Sequence, residues 1–345
     1  MALSALLEQR KYDLPTLVRV VRGETEADPR PNKALCFRRI AGLLTGYEHS
    51  SLLCDIAAHG IHPTWITKQP RQGRVVANHQ SANRHLNAVI RSIRSGQDAG
   101  QYLVLNQESM NLLPDVHVSP LGAVPKKGVN PHDEIRLIHD LSFPRGASTN
   151  DAAEKSLLPV IRYRHVAAVA ERIEACFESD PSCTIHILKG DVKGAFRHLM
   201  MHSSHIRWMG ARLPQLKALV LDMAAPFGWT GSPSYYGVFG GGITWIVGRE
   251  CPASISDGAL LDNIPFFAYE WVDDHIMVEP ATPGRLDAAA TTLRLAMMAV
   301  LGPRAINEAK FSPWSTRLEV LGLEFDTANR TVSMPADKIQ KALQR

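Results

Sequence analysis

Residues 266–278 read Phe266-Phe267-Ala268-Tyr269-Glu270-Trp271-Val272-Asp273-Asp274-His275-Ile276-Met277-Val278. Two short apolar runs flank the Trp-Val-Asp-Asp tetrad, which places its two acids at the tip of a β-hairpin. Aspartate tolerates the left-handed conformation that a tight turn asks for. Two adjacent carboxylates repel each other, and a divalent cation offsets that repulsion. Taken alone, the tetrad reads as a polar turn between strands.

A third carboxylate changes that balance. Residues 184–192 (TIHILKGDV) alternate and are rich in β-branched side chains, so they predict a buried strand that delivers Asp191 at its far end. One carboxylate on a strand end and two on a neighbouring hairpin tip suit a pair of Mg²⁺ ions, which in phosphoryl-transfer sites lie roughly 3.5–4 Å apart. Mg²⁺ takes hard oxygen ligands and keeps water or substrate phosphate in its shell, so no His or Cys is needed.

The ordered motifs resemble the reverse transcriptase domain of retroelements, most like those of LTR-type and tyrosine-recombinase-type retrotransposons. Residues 189–196 (KGDVKGAF) resemble the first palm motif, and 226–233 (PFGWTGSP) the template- and primer-gripping loop, with a helix from about Ser234. Trp271-Val272-Asp273-Asp274 matches the Tyr-x-Asp-Asp box except at its first residue. Lys310 and then Leu321-Gly322 resemble the last two palm elements, while 119–127 (SPLGAVPKK) and 136–142 (RLIHDLS) resemble the fingers strands. The likeness covers roughly residues 119–334. It implies an α+β polymerase right-hand fold with fingers and palm, the palm a ferredoxin-like antiparallel sheet packed on helices, and a thumb missing or truncated. The implied division is a mostly helical region with a basic stretch at 1–100, fingers at 101–182, palm at 183–335 and the start of a truncated thumb at 336–345.

The same resemblance implies roles. Asp191, Asp273 and Asp274 bind two Mg²⁺ ions, or Mn²⁺ as the alternative, with the Val192 carbonyl as a further ligand. Arg136 and Lys126 contact the dNTP triphosphate, guanidinium bidentately and ammonium as a point charge, with Lys127 an equal candidate. Phe196 sits under the sugar and favours dNTP over rNTP. Lys310 neutralises or protonates the departing pyrophosphate. Pro226, Phe227, Gly228 and Trp229 shape the loop against the nascent pair, with Gly allowing close backbone approach. Trp271 lies near the primer end, where indole replaces the family's usual phenol. The implied function is template-directed DNA synthesis on a primed RNA or DNA template as part of a retrotransposon polyprotein; the alternative is a catalytically inactive nucleic-acid-binding relic. A two-metal nuclease using the same acids explains neither Phe196 nor the fingers-like segments.

The chain has 345 residues, 45% of them hydrophobic, enough to bury a substantial core in more than one subdomain. No apolar run reaches a membrane span and the N-terminus lacks a signal-peptide pattern. Cys36, Cys54, Cys176, Cys183 and Cys251 are scattered and odd in number, which fits reduced thiols in an intracellular protein. The net charge of +4 is modest. Its distribution matters more: no acid falls between Asp55 and Asp98, where Lys68, Arg71, Arg74, Arg84, Arg91 and Arg94 form a candidate phosphate-contacting stretch or an ordinary solvated face. Apolar spacing predicts helices over 33–44, 81–95, 157–177 and 287–301, strand pairs over 208–213 with 218–223, and a last hairpin of 318–325 with 331–334. The segment 62–73 is polar, Pro-containing and linker-like. His198, His202 and His205 have a spacing that suits one helical face, but they follow Asp191 where the family continues into a strand end and loop, and no fourth ligand is evident; zinc is not expected there. His59, His62, His79 and His85 show no ligand spacing.

Overall fold

Period-2 alternation of aliphatic residues builds the strands of this protein. In the computed structural model, which describes residues 2–344 except 69–71, 73–75 and 127, they run in chain order as β1 (Tyr102–Asn106), β2 (Leu121–Pro125), β3 (Ile135–His139), β4 (Ile185–Asp191), β5 (Gly210–Leu213), β6 (Ala218–Asp222), β7 (Tyr269–Trp271), β8 (Asp274–Pro280), β9 (Arg317–Val320), β10 (Leu323–Asp326) and β11 (Thr331–Ser333). They pair antiparallel in four groups, β1-β6-β5, β2-β3, β4-β8-β7 and β9-β10-β11. The chain forms two compact units, each assembled from separated segments: Met1–Phe37, Cys54–Val160 and Phe196–Tyr236 in the first, Arg38–Leu53, Ile161–Ala195 and Gly237–Arg345 in the second.

In the first unit, Val89 and Ile93 of the helix Leu86–Asp98 pack with Leu121, Ile135 and Val220 in one apolar cluster. The sequence predicts a single helix over 81–95; the structure has two, Gln80–Arg84 and Leu86–Asp98, broken at His85. The first is tied to the edge of β2, because Asn78 Oδ1 accepts from the Leu121 amide and Ser81 Oγ from the Ala123 amide. Arg84, Arg91 and Arg94 are exposed on these helices, while Arg71, Arg74 and Lys127 lie outside the described residues.

In the second unit, Ile187 and Val278 face each other across β4 and β8, and both are fully buried with Val169 of the helix Ala167–Ser179. Each such burial contributes about 2 kcal/mol. The opposite face meets the helix Arg285–Leu301. A Cβ on Gly190 would lie 2.8 Å from the Phe311 ring and 2.9 Å from Leu293, so only glycine lets this face close.

Two further expectations are corrected. The helix expected from 157 begins at Ala167, since Pro159 disfavours helical backbone at Leu158 and leaves Leu157 and Val160 exposed. The run 318–325 is two strands, because Leu321 (φ 50°) and Gly322 (φ 87°) form a tight left-handed turn between β9 and β10. Among the described residues, no helix is long and apolar enough to cross a membrane.

Candidate active site

The register of β4 on β8 pairs Asp191 with Asp274, and that of β7 on β8 pairs Trp271 with Asp274. Antiparallel partners place their side chains on one face of the sheet, so two carboxylates stand directly opposite one another, an arrangement that like charges disfavour. Asp273 joins them through its backbone: the Val192 amide donates to the Asp273 carbonyl at 3.2 Å. Burial, followed by the charges of Asp191 and Asp274, pushes the Asp273 carboxyl above its ordinary range. Sequence-distant strands thereby bring all three acids into one part of the second unit.

Cations and amides already hold two of these groups. Asp191, 3% exposed in its side chain, accepts from Asn307 Nδ2 at 2.6 Å and from Lys310 Nζ at 2.9 Å. Lys189 Nζ lies 2.8 Å from Asp274 Oδ2. The Lys310 ammonium is held above its usual range, first by its bond to Asp191. Asn307 is a site residue that sequence reasoning missed, and Lys189 lay inside a motif without a role of its own. No periodicity signals Asn307; only its place three residues before Lys310 does.

The oxygens fit a hard divalent cation in kind, and a cation would oppose both the burial and, after it, the neighbouring charges that hold the Asp273 carboxyl above its ordinary range. Among the described residues the three carboxylates do not bring one oxygen each within 4.8 Å of one another, so the arrangement is wider than a single-ion cage. Lys310 is 62% exposed in its side chain, and a flexible ammonium of that kind can swing into water. The Val192 amide is committed to Asp273, while its neighbours in the chain bond the 305–307 segment through Lys193 N to Ala305 O and Asn307 N to Asp191 O.

The turn is strained at an unexpected residue. Val272, not an aspartate, carries the positive φ of 56°. A positive φ at the first central position of a two-residue hairpin is the type II′ pattern, usually filled by glycine. In a β-branched residue it costs on the order of 1–3 kcal/mol, and the surrounding pairing must hold it. Trp271 is half-exposed, with its ring 5.2 Å from that of Tyr163.

Behind the turn, Glu270 is enclosed by the glycines of the helix Gly231–Val247. A Cβ on Gly240 would lie 2.8 Å from Glu270 Oε2, and Thr244 Oγ1 donates to that oxygen at 3.1 Å. Burial pushes its carboxyl up to about 8. The folded protein therefore keeps a proton that the unfolded chain releases near 4.5, so this contribution to stability is complete below about 4.5 and is lost as pH rises through about 8. Urea denaturation at pH 5 and pH 9 is expected to show wild type losing on the order of 4 kcal/mol relative to Glu270→Gln over that interval; parallel profiles for the two proteins would remove Glu270 as the cause.

The remaining predicted site residues belong to the first unit. Phe196 lies in a short 3₁₀ turn, Ala195–His198, with its ring 5.0 Å from Phe227 and 5.7 Å from Tyr236. The loop of Pro226, Phe227, Gly228 and Trp229 is clamped: the His139 amide donates to the Phe227 carbonyl, Asn150 Nδ2 donates to the Gly228 carbonyl at 2.7 Å, and Asn150 Oδ1 accepts from the Thr230 amide. Trp229 is buried and stacks on Tyr235. The following helix starts at Gly231, three residues before the expected Ser234. Lys126 pairs with Glu134 across the β2–β3 hairpin, and Arg136 on β3 is exposed.

No protein-family model matches this chain, and no curated protein matches it. Solved structures do. It is similar to the foamy viral protease-reverse transcriptase in complex with double-stranded DNA, at 15% identity and a TM-score of 0.52 over 89% of this chain and 58% of that one. It is also similar to the foamy viral protease-reverse transcriptase dRH in complex with double-stranded DNA, at 13% identity and a TM-score of 0.51 over 88% of this chain and 48% of that one. The chain thus spans about half the length of these proteins. Its fold, mixed helix and sheet, is reverse transcriptase-like.

Proposed function

We propose that this protein is a template-directed DNA polymerase of the reverse transcriptase class from a retrotransposon polyprotein, extending a primer 3′-hydroxyl on an RNA or DNA template with dNTPs. The observation that carries this reading is the pairing of Asp191 with Asp274 across β4 and β8, with Asp273 bonded to Val192. A likeness to polymerases solved with double-stranded DNA supports it. In this reading residues 101–182 act as fingers, 183–335 as palm, 1–100 as a mostly helical region and 336–345 as the start of a thumb.

Asp191, Asp273 and Asp274 would hold two Mg²⁺ ions, with Mn²⁺ as a substitute and the Val192 carbonyl as a further ligand. When bound, such ions activate the attacking hydroxyl and stabilise the leaving oxygen. The protein contributes position: Asn307 orients Asp191, and the strained Val272 turn presents Asp273 next to Asp274. Lys310, released from Asp191, supplies positive charge to the departing pyrophosphate. Lys126, Lys127 and Arg136 contact the triphosphate, Phe196 excludes a ribose 2′-hydroxyl, and the 226–229 loop with Trp271 holds template and primer. Primer extension with Mg²⁺ by wild type and Asp273→Asn tests the assignment: extension is expected from wild type only, and equal activity in both sinks it.

One observation favours a second reading, a non-catalytic nucleic-acid-binding relic. Lys189 and Lys310 already neutralise Asp274 and Asp191. Salt-sensitive duplex binding without incorporation would select it.

A further inference from the structure

We propose that His62, His202 and His205 form a zinc site with one open coordination position, separate from the carboxylates and serving to tie residues 60–65 to residues 200–208. Each imidazole brings one ring nitrogen within 4.8 Å of the others, the one such three-ligand group among the described residues. His205 Nε2 and His62 Nδ1 are 3.4 Å apart. Two nitrogens at tetrahedral positions about 2.0–2.1 Å from zinc are separated by about 3.3 Å.

Backbone geometry assembles the group before any ion arrives. Ile61 and Met201 form a parallel bridge, with the Ile61 amide donating to Met200 and the His202 amide to Ile61, so His62 and His202 emerge side by side. Their rings stack at 3.9 Å. Gly60, at φ 86°, permits this approach, since a Cβ there would lie 2.9 Å from the His202 amide nitrogen. His202 caps the 3₁₀ helix Ser203–Trp208. Residues three apart eclipse in that geometry, which puts His205 on the edge occupied by His202. His198, the residue that helical spacing suggests as partner, lies in a different short helix, and its place in the trio is taken by His62.

The protonation state suits a metal. Burial is the largest influence on all three rings; it lowers His62, takes His202 down to about 4 and His205 to about 3. His62 also depresses His202 and His205, and His202 depresses His205; His59 acts on His62 and His202, Arg19 and Arg22 on His202 and Arg207 on His205, while Asp55 opposes at His62. Neutral imidazole is the ligating form. Three histidines with a vacant fourth position are the donor set of open zinc centres, and the exposed His62 gives an ion entry.

Trp65 makes the site testable in both directions. Its indole N–H donates to His205 Nδ1 at 3.0 Å. Indole only donates, so the neutral His205 ring without metal carries its proton on Nε2. Ligation through Nε2 moves that proton to Nδ1 and removes the acceptor from Trp65. Trp65→Phe keeps an aromatic ring against Trp208, where the indoles stack at 4.4 Å, and deletes the competing bond. The experiment is titration of the untagged full chain with Zn²⁺ against a chromophoric chelator, with Co²⁺ absorption reporting nitrogen ligation. One ion per chain is expected. Loss of a ligand in His62→Asn, at an exposed position, is expected to weaken binding by more than about 100-fold, whereas Trp65→Phe tightens it several-fold. Misfolding can produce the first result but not the second. A wild-type chain that takes up no zinc, or affinity unchanged in His62→Asn, overturns the site.

Discussion

Asp191→Asn is expected to slow nucleotide incorporation by at least about 10³-fold, equivalent to about 4 kcal/mol of transition-state stabilisation, while leaving the urea midpoint nearly unchanged. The asymmetry follows from the surroundings of the carboxylate. Asp191 is buried, but one of its two partners, Lys310, has a largely exposed side chain. When the charge is removed, that ammonium turns into water, and a pair with one exposed member contributes about 1 kcal/mol or less to stability. Asn307 retains a hydrogen bond to the remaining amide, because its own amide can present either oxygen or nitrogen. The chemistry has no comparable substitute, since a neutral amide opposite Asp274 halves the charge of the only pair of acids that β4 and β8 place face to face. Single-turnover primer extension with Mg²⁺ and equilibrium unfolding of the same preparation measure the two halves. A rate within tenfold of wild type would remove Asp191 from the reaction. A large drop in the midpoint would make the lost rate a folding effect.

What could be read from the sequence depended on how local each signal was. β2 (Leu121–Pro125) falls inside the 119–127 stretch that resembles a fingers strand, and β4 ends at Asp191 because TIHILKGDV carries a strand pattern up to that residue. The order of motifs pointed to the reverse transcriptase-like fold that the structural likeness shows. Features set by partners far along the chain were not legible. Nothing in the tetrad says that Val272 bears the left-handed strain, since intrinsic preference assigns it to aspartate and only the register of β7 on β8 decides otherwise. Asn307 reaches Asp191 from 116 positions away. The single helix expected over 81–95 splits because Ser81 is bonded to β2, a contact that apolar spacing does not record. His62 was passed over for the same reason: its neighbours in space are 140 residues downstream.

Gly228→Ala is expected to destabilise the first unit by about 3–4 kcal/mol, well beyond an ordinary glycine substitution. Two effects act at this position. Gly228 has φ 115°, a backbone region open essentially to glycine, and holding another residue there costs on the order of 1–3 kcal/mol. A Cβ would also lie 2.0 Å from the His139 carbonyl oxygen. That oxygen belongs to the last residue of β3, and the loop is bonded to β3 by the His139 amide at Phe227 and to Asn150 at Gly228 and Thr230. The added methyl cannot be relieved by rotating a side chain, so the loop must lift from β3 and break these bonds together. Gly146→Ala separates the two contributions. Gly146 also has a positive φ, 80°, but nothing lies within 4 Å of a Cβ built there. It is expected to lose about 1 kcal/mol, the conformational part alone. Chemical denaturation of both variants reads the difference directly. Equal losses would mean that the loop shifts away from β3 freely and that the clamp around Trp229 is not rigid. A clearly larger loss in Gly228→Ala, together with greater exposure of Trp229 to quenching, would show that the 226–229 loop owes its shape to contact with β3, the arrangement on which its proposed grip on template and primer depends.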